Sequence, residues 1–218
     1  MDLFEQVAND AMATCNAAYK VVCEREKVTG VGDVRVLRYE ELLTYAEKKL
    51  GVEEVERLKS LVLENPEWDD REMSLNIVDN LMIQCQELAP ATVILYAPPY
   101  YPAVNTSDHP LIKDAVALVQ KEASKFDLEV EQIHYFNGIC DLSYVNYEDE
   151  GDGWTTFERN TPVWGDTYSI PFTEMAQLRA PVFNVGPFGK GAHQRTERLH
   201  VERAFIEMQH MVKRLLES

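Results

Sequence analysis

The heptapeptide ATVILYA occupies residues 91–97 and is followed directly by Pro98 and Pro99. This short β-branched and aromatic run predicts a strand, because such side chains fit a pleated sheet and prolines end its hydrogen-bonded ladder. The run also divides the chain into two parts of different character. Residues 1–88 are predicted to be almost wholly helical, whereas strand-like and helical patterns alternate after the heptapeptide. The second half is therefore predicted to have an α/β fold.

Four helices are predicted before this strand. They cover residues 3–22, 39–50, 52–63 and 70–82. In the first of them, apolar residues recur at spacings of three and four, which is typical of an amphipathic helix. The fourth is preceded by Asp69, whose spacing to Glu72 matches a capping box.

After the heptapeptide, helical spacing resumes from Pro110 and returns over residues 201–216, so a helix is predicted at each place. Strands are predicted over residues 128–136 and 181–186. The acidic, aromatic and glycine-rich segment 146–170 is predicted to be a long connection. Sheets usually contain about five or six strands. We therefore expect the second half to form only part of a sheet whose other strands come from elsewhere.

The composition limits the classes of function. The 218 residues include 21 basic and 37 acidic side chains, for a formal net charge of −16. Nucleic acid is excluded as an expected partner, because binding its phosphates requires clustered Lys and Arg. The first residues lack the pattern of a signal peptide, and no apolar run reaches the roughly 20 residues of a membrane span. A soluble, cytoplasmic protein that does not bind membranes is expected.

The cysteines are predicted to be free, buried thiols. They show no C-x-x-C spacing and lie within apolar runs, unlike the disulfide framework of a small secreted protein. They are Cys15, Cys23, Cys85 and Cys140.

Two polar, glycine-containing loops are candidates for chemistry, at residues 136–144 and 186–198. In the second, glycines precede His193, which can then be aimed into a cleft to bind zinc or to transfer protons. The alternative is an ordinary turn with a solvated imidazole. In the first loop, Cys140 beside Asp141 permits a nucleophilic thiol, although a buried structural cysteine is the interpretation we favour. The other four histidines are interpreted as structural or surface residues.

Four sequence motifs resemble the arginine-utilisation protein (RocB) family, which belongs to the zinc-dependent aminoacylases, deacetylases, desuccinylases and carboxypeptidases. The motifs stand in the family's order. They are YAPPYYP at 96–102, GICDLSY at 138–144, WGDTYSIP at 164–171, and GPFGKGAH with TERLH at 186–200. The resemblance extends from about residue 35 to the end of the chain.

This resemblance implies roles for individual residues. His193 corresponds to the last metal-ligating histidine of the group, with Glu197 four residues later as in the family's His-x-x-x-Glu pattern. Gly138 and Asp141 correspond to a turn beside the substrate, in which Cys140 replaces the family's usual Ser or Thr. In the intact family enzyme, zinc polarises an amide carbonyl and activates water while a Glu transfers the proton.

The resemblance also implies a domain organisation. Residues 1–105 would be a mainly helical segment derived from the family's lid domain, which often forms a homodimer. Residues 106–218 would be the C-terminal part of the α/β/α catalytic domain. The family's His-x-Asp pair, bridging Asp and catalytic Glu-Glu pair have no counterparts, since the chain contains no H-x-D sequence and its Glu-Glu pairs lie in predicted helices.

One histidine cannot hold a dinuclear zinc site. We therefore expect part of a metal-dependent amidohydrolase or peptidase for N-acylated amino acids or short peptides, inactive alone with an incomplete zinc site. A subunit completed by an N-terminal catalytic half and a non-catalytic interaction module are the alternatives.

Overall fold

The computed structural model describes most of the chain. It covers residues 1–101, 104–134, 141–148, 151 and 153–218, without the side chain of Asp141. The chain divides into two compact units. The first comprises Met1–Tyr100 and Asp149–Ile170, and the second comprises Tyr101–Glu148 and Pro171–Ser218.

Helices dominate the described residues. They are α1 (Asp2–Glu26), α2 (Tyr39–Leu50), α3 (Val52–Leu63), α4 (Asp70–Gln84), α5 (Pro110–Ala123), α6 (Gly153–Arg159), α7 (Phe172–Gln177) and α8 (Met208–Leu216), the last preceded by a π-helical turn (Arg203–Glu207). The helices predicted before the heptapeptide are confirmed, two of them to the residue. The capping box is also confirmed, since Asp69 accepts the Glu72 N–H at 2.8 Å and Glu72 accepts the Asp69 N–H at 3.1 Å.

The described strands form two separate pairs. In the first unit, β1 (Arg35–Arg38) runs parallel to β2 (Ala91–Ile94). The strand predicted from the heptapeptide is therefore confirmed over its first four residues. The sequence pattern did not predict β1, because four residues between a turn and a helix show too little alternation. In the second unit, β3 (Gly189–Lys190) and β4 (Arg198–Leu199) are antiparallel.

The core of the first unit explains why its helices form. The apolar faces of α2, α3 and α4 meet there. Its members include Leu42, Ala46, Val55, Ile77, Leu81 and Val163, each at most 1% exposed. Burial of these stripes supplies the main stabilisation of short helices that would be marginal in isolation.

The prediction of a long connection over 146–170 is wrong for its second part. Residues 153–159 form α6, and the fully buried Asn160 follows it. The side-chain oxygen of Asn160 accepts the Glu40 N–H at 3.2 Å, and its carbonyl accepts the Tyr96 N–H at 2.8 Å. The segment therefore ties α2 to the residues after β2, because tertiary packing outweighs its polar, glycine-rich composition.

In the second unit, α5 and α8 pack around Val119, Ala123 and Met211. The strands predicted over 128–136 and 181–186 are wrong wherever these segments are described, since neither has a ladder partner. Three of their apolar residues pack against the core of α5 and α8 instead, namely Leu128, Val130 and Val185. The backbone N–H of Val182 donates to Thr106 Oγ1 at 3.0 Å, and that hydroxyl donates to the Val182 carbonyl at 2.6 Å. A side chain thus satisfies the backbone groups that a neighbouring strand would otherwise bond.

The described chain is a mixed, mainly helical structure with few strands, so the α/β class stays a prediction. None of the helices in the described ranges has the length and apolar character needed to cross a bilayer.

The prediction of buried cysteines is confirmed for Cys85 and wrong for Cys15, which is exposed, while Cys23 is half-buried. Cys140 lies outside the described residues.

Candidate functional site

The glycine-rich loop predicted to carry chemistry forms a tight hairpin. Its strands β3 and β4 are joined by residues 191–197. A Cβ atom at Gly189 would lie 2.8 Å from the Arg198 carbonyl oxygen, so a side chain there would collide with the opposite strand. Gly191 has a φ of +68°, in the left-handed region that glycine adopts without strain. These two glycines are therefore needed for the hairpin's shape.

His193 lies in the turn of this hairpin and is exposed. Its φ of 62° is unusual for a residue with a side chain. The backbone N–H of His193 donates to the Glu197 Oε2 atom at 3.3 Å. Within the described residues, the imidazole has no hydrogen-bonding partner. The hairpin thus fixes the backbone of His193, and none of the described residues occupies its ring nitrogens.

The other predicted site residues are placed less completely. Asp141 begins a single 3₁₀ turn (Asp141–Tyr144), and its side chain is not described. Gly138 lies outside the described residues. Asp141 and His193 belong to the same unit, and the His193 backbone bonds to Glu197 within the hairpin.

A zinc site does not fit the described residues alone. Nowhere in the described ranges do three His, Cys, Asp or Glu side chains come together as metal ligands. Catalytic zinc requires about three protein ligands. Any metal at His193 would therefore need further ligands from outside this part of the chain, and no catalytic step through zinc can be derived from these residues.

Two of the four family-like motifs meet in the first unit. The Tyr100 N–H donates to the Tyr168 hydroxyl oxygen at 3.1 Å, and that hydroxyl donates back to the Tyr100 carbonyl. The rings of Tyr96 and Tyr100 lie 4.8 and 4.7 Å from that of the buried Phe157. Hydrogen bonds therefore join the two motifs directly, and Phe157 connects them further because its ring also lies 5.6 Å from that of Trp164.

The hairpin carries a positively charged pair that the sequence pattern does not predict. Lys190 and Arg198 are direct partners in the antiparallel register, and both are exposed. Their proximity depends on the strand register, which the eight-residue separation alone does not reveal. Nearby, the Arg203 guanidinium lies 4.9 Å from the centre of the Phe188 ring. The hairpin is therefore locally cationic, in contrast to the strongly acidic chain.

The second unit contains a buried carboxylate that the sequence pattern also does not predict. Glu122 on α5 is 2% exposed, and its Oε2 atom lies 2.6 Å from Lys125 Nζ and 2.7 Å from His210 Nε2. The hydrogen bond from Lys125, followed by that from His210, lowers the pKa of Glu122 to about 2. Glu122 thereby joins α5 to α8, and no nucleophilic side chain is among its described partners. The arrangement stabilises structure, as expected for a histidine interpreted as structural.

Comparisons with known proteins relate this chain to parts of longer bacterial proteins. It is 38% identical over 176 residues to the uncharacterized protein YqjN of Bacillus subtilis (strain 168), covering 79% of this chain and 32% of YqjN. It is 29% identical over 115 residues to protein RocB of the same organism, covering 50% of this chain and 20% of RocB. The chain thus spans about a third of one relative and a fifth of the other. No family model and no solved structure matches.

Proposed function

We propose that this chain is part of a metal-dependent amidohydrolase or peptidase that acts on N-acylated amino acids or short peptides. The partial identity to RocB and the four collinear motifs support a hydrolase connected with arginine utilisation. The observation that carries the proposal is the β3–β4 hairpin. It exposes His193, which the sequence resemblance matches to the family's metal-ligating histidine, and the His193 N–H donates to Glu197 Oε2.

In this proposal, His193 supplies one zinc ligand, and the turn containing Gly138 and Asp141 shapes the substrate site. The remaining ligands would come from an N-terminal catalytic half, because the sequence has no H-x-D motif and the described residues gather no metal site. The chain alone would then be inactive. Residues 1–105 would derive from the lid and residues 106–218 from the catalytic domain of a cytoplasmic enzyme.

The experiment is a comparison of the chain alone with the chain recovered from its native cells through an affinity tag. Hydrolysis of N-acetylated amino acids is measured with added zinc, and co-recovered proteins are identified by mass spectrometry. The proposal expects activity only when a protein with the H-x-D and Glu-Glu motifs accompanies the chain. Equal activity of the isolated chain would contradict the proposed completion by a second half.

A non-catalytic interaction module is the second candidate, and helix α1 favours it. This 25-residue helix has no buried residue. Its exposed apolar side chains include Leu3, Phe4, Val7, Val21 and Val22. Such a stripe is typical of a surface that binds another protein. Recovery of a stable assembly without metal and without hydrolase activity would support the module over the enzyme.

A further inference from the structure

The β3–β4 hairpin holds two cations directly across from each other. Lys190 and Arg198 are Cα partners, and both are exposed. Directly opposed residues of an antiparallel pair point to the same face, with Cβ atoms about 4.5–5.5 Å apart. Like charges in this arrangement repel each other and destabilise the pairing. The hairpin has only two residues in each strand, so little else in its ladder offsets this repulsion.

Among the described residues, neither cation has a carboxylate close enough to neutralise it. Across the described residues, no ion pair within 4 Å involves Lys190 or Arg198. The carboxylate nearest in sequence belongs to Glu197, and it accepts the N–H of His193 instead. Within the part of the chain that the structure describes, the hairpin's own contacts therefore do not neutralise the two charges.

The overall charge of the chain makes this pair more unusual. Acidic residues outnumber basic ones by 37 to 21, so carboxylates are plentiful as partners. Residues 186–200, however, contain one acidic residue, Glu197, and three basic ones, Lys190, Arg195 and Arg198. Because the general field of an acidic protein repels anions, a site for an anion needs such a local group of cations.

We propose that Lys190 and Arg198 bind an oxyanion group, a carboxylate or a phosphate of a small molecule, between their side chains. The planar Arg198 guanidinium can donate two parallel N–H bonds to two oxygens of the anion, while the Lys190 ammonium adds a point charge on a flexible stem. The bound anion offsets the repulsion between the two cations, so its binding also stabilises the hairpin. This site requires neither the metal nor the proposed hydrolase activity.

The site is tested by titrating inorganic phosphate and succinate, in separate arms, into the ¹⁵N-labelled full-length chain at constant low ionic strength. Saturable shifts of the amides of residues 189–199 are expected in at least one arm, and the tighter arm identifies the preferred group. Lys190→Gln should weaken binding by about tenfold, since it removes a charge-assisted bond. Lys121→Gln is the matched control, because Lys121 is an exposed lysine of α5 in the same unit and lies outside the hairpin.

A charge-reversal variant at Lys190 tests whether anion binding and the stability of the hairpin change in opposite directions. In Lys190→Glu, opposite charges face each other across the hairpin, so anion binding should disappear while the hairpin amides become better protected from hydrogen exchange. The proposal is overturned if neither anion gives saturable shifts in the hairpin up to about 10 mM, or if Lys190→Gln binds as tightly as Lys121→Gln.

Discussion

The Nε2 atom of His210 lies 2.7 Å from the Oε2 atom of Glu122, which connects α8 to α5 across 88 residues of sequence. Lys125 donates to the same carboxylate oxygen at 2.6 Å. The carboxylate is almost fully buried, so its negative charge depends on these two donors. The contact therefore makes the stability of the second unit sensitive to the protonation of Glu122.

The pKa of Glu122 is lowered from 4.5 to about 2, which fixes the direction of this pH dependence. Its stabilising contribution is complete above about pH 4.5 and is lost as the pH falls towards 2, because the unfolded chain then binds the proton more readily. Glu122→Gln should lower stability at neutral pH and reduce the loss of stability between pH 4.5 and 2. Chemical denaturation over this pH range measures both effects.

The exposed Glu129 provides the control for this prediction, since Glu129→Gln removes a carboxylate without described hydrogen bonds from the same unit. Glu87 of the first unit also has a pKa lowered to about 2, chiefly by Lys49, so part of the acid sensitivity should persist in every variant. An unchanged pH profile in Glu122→Gln would show that the contact to His210 does not stabilise the fold.

Helix α4 allows a direct test of the core of the first unit. Leu81 is completely buried, whereas Leu75 on the same helix is 53% exposed. Leu81→Ala should lower the free energy of unfolding by about 2–5 kcal/mol, because it removes buried apolar contacts and leaves a cavity. Leu75→Ala should change it by about 0.5 kcal/mol or less. Urea denaturation measures both variants, and equal effects would contradict the assigned orientation of α4.

The core around Leu81 and the contact between Glu122 and His210 differ in how well the sequence predicts them. The helices around Leu81 follow from apolar spacing and from the Asp69 capping box, which are local patterns. The association of Glu122 with His210 depends on tertiary packing, which local patterns do not contain. The strand predicted at 181–186 failed for a related reason, because the Thr106 side chain binds the backbone of Val182 in place of a neighbouring strand.

The candidate site, like the fold, could be predicted from the sequence only in its local features. Glycine spacing correctly indicated a sharp turn around His193, because the close approach at Gly189 and the positive φ of Gly191 are backbone requirements. The opposition of Lys190 and Arg198 could not be predicted, since it follows from a register that a two-residue ladder barely specifies.

We expect the exposed stripe of α1 to mediate formation of a homodimer. Val7 is 58% exposed on this helix, and Val7→Asp should shift the chain towards the monomer by placing a charge in the buried interface. Asn9→Asp makes a comparable charge change at an exposed position away from the stripe and should leave association intact. Sedimentation equilibrium at physiological salt measures the mass, and a 25.0 kDa species at all micromolar concentrations would contradict the dimer.

The exposed Cys15 gives a separate prediction about the thiols. A thiol reagent should modify Cys15 rapidly in the native protein and Cys85 only after denaturation, since Cys85 is completely buried. Mass spectrometry of the labelled peptides identifies the order. Equal labelling of both positions in the native state would show that the core around Cys85 opens readily.

The proposed role of His193 is tested most directly by measuring bound zinc per chain in the assembly recovered from native cells. Stoichiometric zinc is expected in the wild type, about tenfold weaker retention of zinc in His193→Ala because a ligand is lost, and wild-type retention in the exposed-histidine control His134→Ala. Loss of N-acyl amino acid hydrolysis should accompany the loss of zinc. Unchanged zinc and activity in His193→Ala would show that His193 is not a metal ligand.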